Sequence, residues 1–126
     1  MPRMSLTDAG PAQVAGDFAL GGSWGTSPSI GTPEAGSNDS AGRVVITSGS
    51  GSPGAAPTVT LTLRLPDRVG LKATRPKVVC NYPFVVTSKT VVASGGDNEQ
   101  TTAIVFTFQG TPIASTAYAL EYHLFT

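Results

Sequence analysis

His123 and Cys80 are the only histidine and the only cysteine in the 126-residue chain, so any base-assisted thiol chemistry near neutral pH would need both. Such a pair works only within hydrogen-bond reach and with a third group to orient the imidazole. Sequence separation leaves that meeting open, but no local motif surrounds either residue. His123 stands beside Leu124 and Phe125 at an outward position of the last expected strand, which suits a solvent-facing or interfacial ring better than a catalytic one. Cys80 closes the run Val78-Val79-Cys80, where a small buried hydrophobe is the simpler reading. Two potential soft ligands are too few for a zinc site. Of the carboxylates, Asp39 and Asp97 sit in Gly/Asn-rich loops that could offer oxygen ligands to calcium, yet an Asx turn accounts for each more simply. The Gly-rich stretches 49–54 and 95–96 lack the Lys-Ser/Thr ending of a phosphate loop and open no helix. The residue inventory therefore predicts a protein without enzymatic activity, metal or cofactor.

Recognition is better represented than catalysis. Arg64, Arg68, Lys72, Arg75 and Lys77 gather in one stretch opposed locally by Asp67 alone. A solvated loop would explain such a run; docking onto an acidic protein surface is the sharper expectation, because charge-assisted contacts fix register without making the whole chain basic. Nucleic acid fits less well. The stretch has no interleaved aromatic residues for stacking, and the chain as a whole has a net charge of +0 and a pI near 6.5. Near the N-terminus, Val14, Phe18 and Leu20 are apolar enough to seek a groove, and they join the five basic residues as expected docking positions.

The elements that must carry these residues read as strands. Gly (15) and Pro (10) are frequent and only 13% of residues are charged, while 40% are hydrophobic with a mean hydropathy of +0.08. This composition disfavours long helices and still supplies a core. Thr58 to Leu65 alternates strictly, with Val59, Leu61, Leu63 and Leu65 on one face and Thr58, Thr60, Thr62 and Arg64 on the other. Arg43–Thr47, Lys77–Tyr82, Phe84–Ala93, the Ile104/Phe106/Phe108 alternation and the Tyr118/Leu120/Tyr122/Leu124 alternation add further strands, with Pro83 suited to a bend. Six or seven strands separated by turn signals predict an all-β fold, an antiparallel β-sandwich or barrel of jelly-roll-like type. Residues 1–22 show neither periodicity and are expected to form an extended N-terminal arm, leaving 23–126 as the sandwich domain. Trp24 and Ile30 are its expected anchors, and residues 37–42 a tight turn. The lone Cys80 forbids an intrachain disulfide, so packing or oligomerisation must supply stability. No run of about 18 apolar residues predicts a membrane span. Asp8 and Asp17 interrupt any signal-peptide core, which implies cytoplasmic synthesis.

Taken in order, the stretches Gly22-Ser23-Trp24-Gly25, Gly36-Ser37-Asn38-Asp39-Ser40-Ala41-Gly42-Arg43-Val44-Val45-Ile46-Thr47 and Pro57-Thr58-Val59-Thr60-Leu61-Thr62-Leu63 resemble a small β domain of tailed-bacteriophage structural proteins. Ala73-Thr74-Arg75-Pro76-Lys77-Val78-Val79 and Ser115-Thr116-Ala117-Tyr118-Ala119-Leu120-Glu121-Tyr122 look like its later strands. That domain recurs in capsid decoration proteins and at tail-fibre tips, and the likeness runs from about residue 22 onward. The basic stretch 64–77 is longer and more charged than the resemblance leads one to expect. The resemblance implies a virion component at the capsid surface, commonly a homotrimer, that binds the major capsid protein and stabilises the head without catalysis. Trimerisation would also cover open sheet edges. The lack of a long shaft ahead of the domain favours decoration over a fibre tip, with residues 1–22 reaching a neighbour or the shell. A tail-fibre or spike receptor or glycan-binding module is the alternative, for which Trp24, Tyr82, Tyr118 and Tyr122 would offer a stacking platform.

Overall fold

Strict alternation over Thr58–Leu63 requires a strand with one wet and one dry face, and in the computed structural model of the chain Val59, Leu61 and Leu63 are buried while Thr62 is exposed. The structure describes residues 12–64, 77–92 and 100–125. Within them a short 3-10 turn at Ala15–Asp17 precedes eight strands: β1 (Phe18–Gly21), β2 (Ser29–Ile30), β3 (Ala41–Thr47), β4 (Thr58–Thr62), β5 (Lys77–Cys80), β6 (Phe84–Val92), β7 (Gln100–Phe108) and β8 (Ala117–Phe125). They form two four-stranded antiparallel sheets, ordered β1-β4-β7-β6 and β2-β3-β8-β5. The fold is a β-sandwich. Its two sheets stay separate, which decides between the sandwich and barrel expectations. No helix among the described residues is long and apolar enough to cross a membrane.

Each sheet sends one face inward. Phe18, Val59, Leu61, Phe84, Ile104, Phe106 and Phe108 from the first sheet meet Val44, Ile46, Leu120, Tyr122 and Leu124 from the second. Trp24, contributed by the connection after β1, is 1% exposed and lies edge-on to Phe108 with ring centroids 5.7 Å apart. Its indole N–H donates to the Thr58 carbonyl at 2.9 Å, so the one polar atom of this anchor is satisfied inside the core.

The expected arm boundary at residue 22 falls inside the folded body. Phe18 to Gly21 pairs antiparallel with β4, Phe18 opposite Leu61 and Gly21 opposite Thr58. Phe18 is 4% exposed and Leu20 packs against the core. Four residues were too short a run to display alternation, yet sufficient to occupy the open edge of β4. The groove that Phe18 and Leu20 were expected to seek is thus in their own chain.

Candidate functional site

The strand register gives the sandwich two distinct ends. Ala41 opposite His123, Thr62 opposite Ala103, Lys77 opposite Phe125 and Val92 opposite Gln100 mark one; Thr47 opposite Ala117, Gly21 and Thr107 opposite Thr58, and Phe84 opposite Phe108 mark the other. Every acidic and basic side chain among the described residues lies at or toward the first end: Asp17, Glu34, Asp39, Arg43, Arg64, Lys77, Lys89 and Glu121. The strand ends flanking segments 65–76 and 93–99 lie there too. The loops of the second end, 22–28, 48–57, 81–83 and 109–116, contain no charged residue at all.

At the charged end the expected docking residues divide. Arg64 is turned to an internal use. Its guanidinium Nη1 donates to the Ala12 carbonyl at 2.7 Å and lies 3.8 Å from the Asp17 carboxylate, while its backbone N–H donates to Asp39 Oδ1 at 2.9 Å. Lys77 begins β5 and is exposed. Val14 is 51% exposed beside the segment that Arg64 clasps. Arg68, Lys72 and Arg75 lie outside the described residues.

Asp39 was expected to cap its own loop, and its neighbour does so instead. Asn38 Oδ1 accepts from the backbone N–H of Ser40 and Ala41 and from the Ser40 hydroxyl, the geometry of an Asx turn. Asp39 is thereby pointed inward, 0% exposed, where Oδ1 also accepts from Gln13 Nε2 at 2.6 Å. Gln13 N–H donates to the Ser37 carbonyl at 2.8 Å, and the Tyr122 hydroxyl donates to the Asn38 carbonyl at 2.8 Å. Burial, followed by the nearby Asp39 and Asp17 carboxylates, holds the Tyr122 phenol well above its ordinary pKa and keeps it a donor. This buried polar cluster had one sequence signal, the Asn-Asp-Ser turn, but its depth depends on residues 12–17 closing over it.

A shallow cleft of about 420 Å³ opens beside this cluster, lined by Glu34, Gly36, Arg43, Glu121 and His123 among others. Arg43 lies 3.2 Å from Glu121 and 3.7 Å from Glu34, so its charge is matched within the cleft. His123 stacks against Phe125 with ring centroids 6.2 Å apart, and its Nδ1 is buried without a hydrogen-bond partner. Cys80 is remote in function although near in register. It pairs with Tyr122, one position from the Val79–His123 pair, so thiol and imidazole project from opposite faces of one sheet. Burial raises the thiol pKa, and the Sγ atom sits 3.2 Å from the Phe84 carbonyl. The two residues are not brought together. Among the described residues no three His, Cys, Asp or Glu side chains are grouped to hold a metal.

The uncharged end is a set of loops fastened to one another. Thr26 and Ser50 exchange backbone hydrogen bonds at 2.9 and 3.0 Å, and Gly49 N–H donates to the Trp24 carbonyl at 2.7 Å. Ser115 N–H donates to Gly49, Ala56 N–H to Gly110 and Gln109 N–H to Pro83. The Ser48 hydroxyl donates to the Ile113 carbonyl, and Ile113 N–H donates to the Tyr118 hydroxyl at 2.8 Å. The linker-like composition of 48–54 thus conceals an ordered loop. Of the expected stacking platform, Trp24 and Tyr122 are core residues and Tyr118 packs against the core, its ring 4.7 Å from that of Phe108. Tyr82 alone stands out, 80% exposed. No family model, curated protein or solved structure matches the chain.

Proposed function

We propose that the protein is a structural component of a bacteriophage virion, a capsid decoration protein that binds the major capsid protein and stabilises the head without catalysing a reaction. The observation that carries this reading is the segregation of charge to one end among the described residues, where Arg64 and Lys77, which flank the basic stretch Arg68, Lys72 and Arg75, both lie. A basic segment that joins the body through residues at one end gives that end a means of seating on an acidic surface with a fixed orientation. The sequence resemblance supplies the kind of surface. Binding sites that exist only on the assembled shell stabilise it by mass action.

A homotrimer belongs to the same proposal. β6 is a nine-residue edge strand, and β5 and β2 are edges of the other sheet. Three copies around an axis can cover such edges. Analytical ultracentrifugation of the purified chain should return three copies; a monomer at micromolar concentration contradicts this part of the reading.

Co-sedimentation with undecorated capsids tests the docking. The triple substitution Arg68→Glu, Lys72→Glu, Arg75→Glu is expected to weaken retention at least tenfold without lowering thermal stability, and wild-type retention should fall as salt rises. Equal retention of the triple variant at low and high salt would overturn the reading. Removal of residues 1–11 isolates any contribution of the N-terminal arm while sparing Gln13 and Phe18, which the folded body needs.

A further inference from the structure

We infer that the cleft at the charged end is a socket for an arginine side chain of a partner protein, received between Glu34 and Glu121 beside His123. The cleft holds about 420 Å³, within the usual range of small-ligand sites. Its walls are set by backbone bonds. Arg43 and Glu121 are directly opposite in the β3–β8 ladder, and Glu121 N–H donates to Asn81 Oδ1 at 2.8 Å. Glu34 N–H donates to the Arg43 carbonyl at 2.8 Å, its own carbonyl accepts from Ser37 N–H at 3.0 Å, and Arg43 N–H donates to Ser37 Oγ at 3.1 Å. The two carboxylates are thereby carried on fixed backbone on either side of one guanidinium.

Arg43 does not exhaust them. Its Nε lies 3.2 Å from Glu121 Oε1 and its Nη1 lies 3.7 Å from Glu34 Oε2, so it engages one oxygen of each carboxylate, and the longer contact exceeds hydrogen-bond range. A carboxylate offers about four lone-pair sites, which leaves acceptors on both. Two carboxylates against one guanidinium also give the lining an excess of negative charge when His123 is neutral. Half-exposed ion pairs of this kind add little to stability, so the fold alone does not account for the set.

A second observation is independent of charge. Nδ1 of His123, in the wall of the same cleft, is buried without a hydrogen-bond partner. The stack of the ring on Phe125 accounts for its apolar face and not for that nitrogen. Buried polar atoms are nearly always paired, and a donor arriving at this wall supplies the partner.

The acceptors select the ligand. An anion would meet two carboxylates, and among the described residues no three His, Cys, Asp or Glu side chains are grouped to hold a metal. An ammonium concentrates its donors on one atom, whereas a guanidinium spreads five over a planar fork, which suits acceptors on three separate residues. Ala41 and the imidazole give its carbon stem a wall to lie along. The cleft is shallow, so a lone guanidinium is held weakly and gains from surrounding contacts, which makes a protein surface its source.

This inference does not rest on capsid binding, and its test uses no capsid. The full chain is titrated at constant pH with N-acetyl-arginine amide and, separately, with N-acetyl-citrulline amide, its uncharged isostere. The imidazole C–H signals of His123 are followed by NMR, unambiguous because the chain has one histidine. Expected is a saturable shift with the arginine compound in the millimolar range, weakened by added salt, and at least tenfold weaker binding of the citrulline compound. The double substitution Glu34→Gln, Glu121→Gln should abolish the shift with thermal stability unchanged, and Glu34→Gln alone should weaken binding at least threefold. No shift, an equal response to citrulline, or full binding by the double variant would overturn the inference.

Discussion

Asp39 is the residue on which the charged end turns. Its buried Oδ1 receives both the Gln13 amide and the Arg64 backbone N–H, so truncation would strand two donors in a site closed to water. Asp39→Ala is expected to lower unfolding stability by about 2–3 kcal/mol, read from urea denaturation, and Asp39→Asn by less because an acceptor oxygen remains. Tyr122 gives the same region a pH signature. Its folded pKa lies above the unfolded value of about 10, so its contribution to stability is complete below that pH and is lost as pH climbs beyond it. Urea midpoints measured from pH 8 to 11 should fall more steeply in wild type than in Tyr122→Phe. Gly42 stands against this phenol, and a methyl group there would overlap the Tyr122 ring and hydroxyl. Gly42→Ala should therefore lower the melting temperature even though the backbone itself tolerates alanine. Cys80 responds to pH in a parallel way: burial raises its pKa and favours the thiol, so labelling by a disulfide reagent at a given pH should be slower than that of an unburied cysteine.

At the scale of elements, β4 shows how far a residue pattern reaches. Its alternation foretold a strand, a buried face and the threonine face opposite, and Leu61 is 0% exposed as that pattern requires. Leu61→Ala is expected to cost about 2–5 kcal/mol by calorimetric or urea unfolding. β7 and β8 were equally legible, because nine residues give the alternation room to declare itself. β1 and β2, of four and two residues, do not, and what places them is pairing with β4 and β3 rather than any pattern of their own. The loop 48–54 was misleading for the opposite reason. Its composition is that of a flexible tether, but its order comes from partners far along the chain, Trp24, Thr26 and Thr116. Gly49 is where that order is tightest. A Cβ there would collide with the Thr26 carbonyl, so Gly49→Ala should unfasten the two loops and raise amide exchange at Thr26 and Ser50. The docking residues divide along the same line: the basic run was visible as charge, whereas the capture of Arg64 by Ala12 and Asp17 required the fold.

Across the whole molecule, alternation of strand direction turns a scatter of charges along the sequence into a polar object. Neutral net charge at the level of composition conceals, among the described residues, an end that carries the ions and an end whose loops carry none. Seating of the charged end on a capsid, as proposed, should weaken as salt is added, and a titration series over ionic strength reads that directly. The same topology governs how the protein can be handled. Ala12, where the described chain begins, and Phe125, where it ends, both lie at the charged end. Bulk attached at Ala12 or Phe125 would lie on the end proposed to seat on the capsid. A short epitope inserted at exposed Ser52, between Gly51 and Pro53, would instead project from the opposite side, so cargo displayed there should leave seating on a capsid intact.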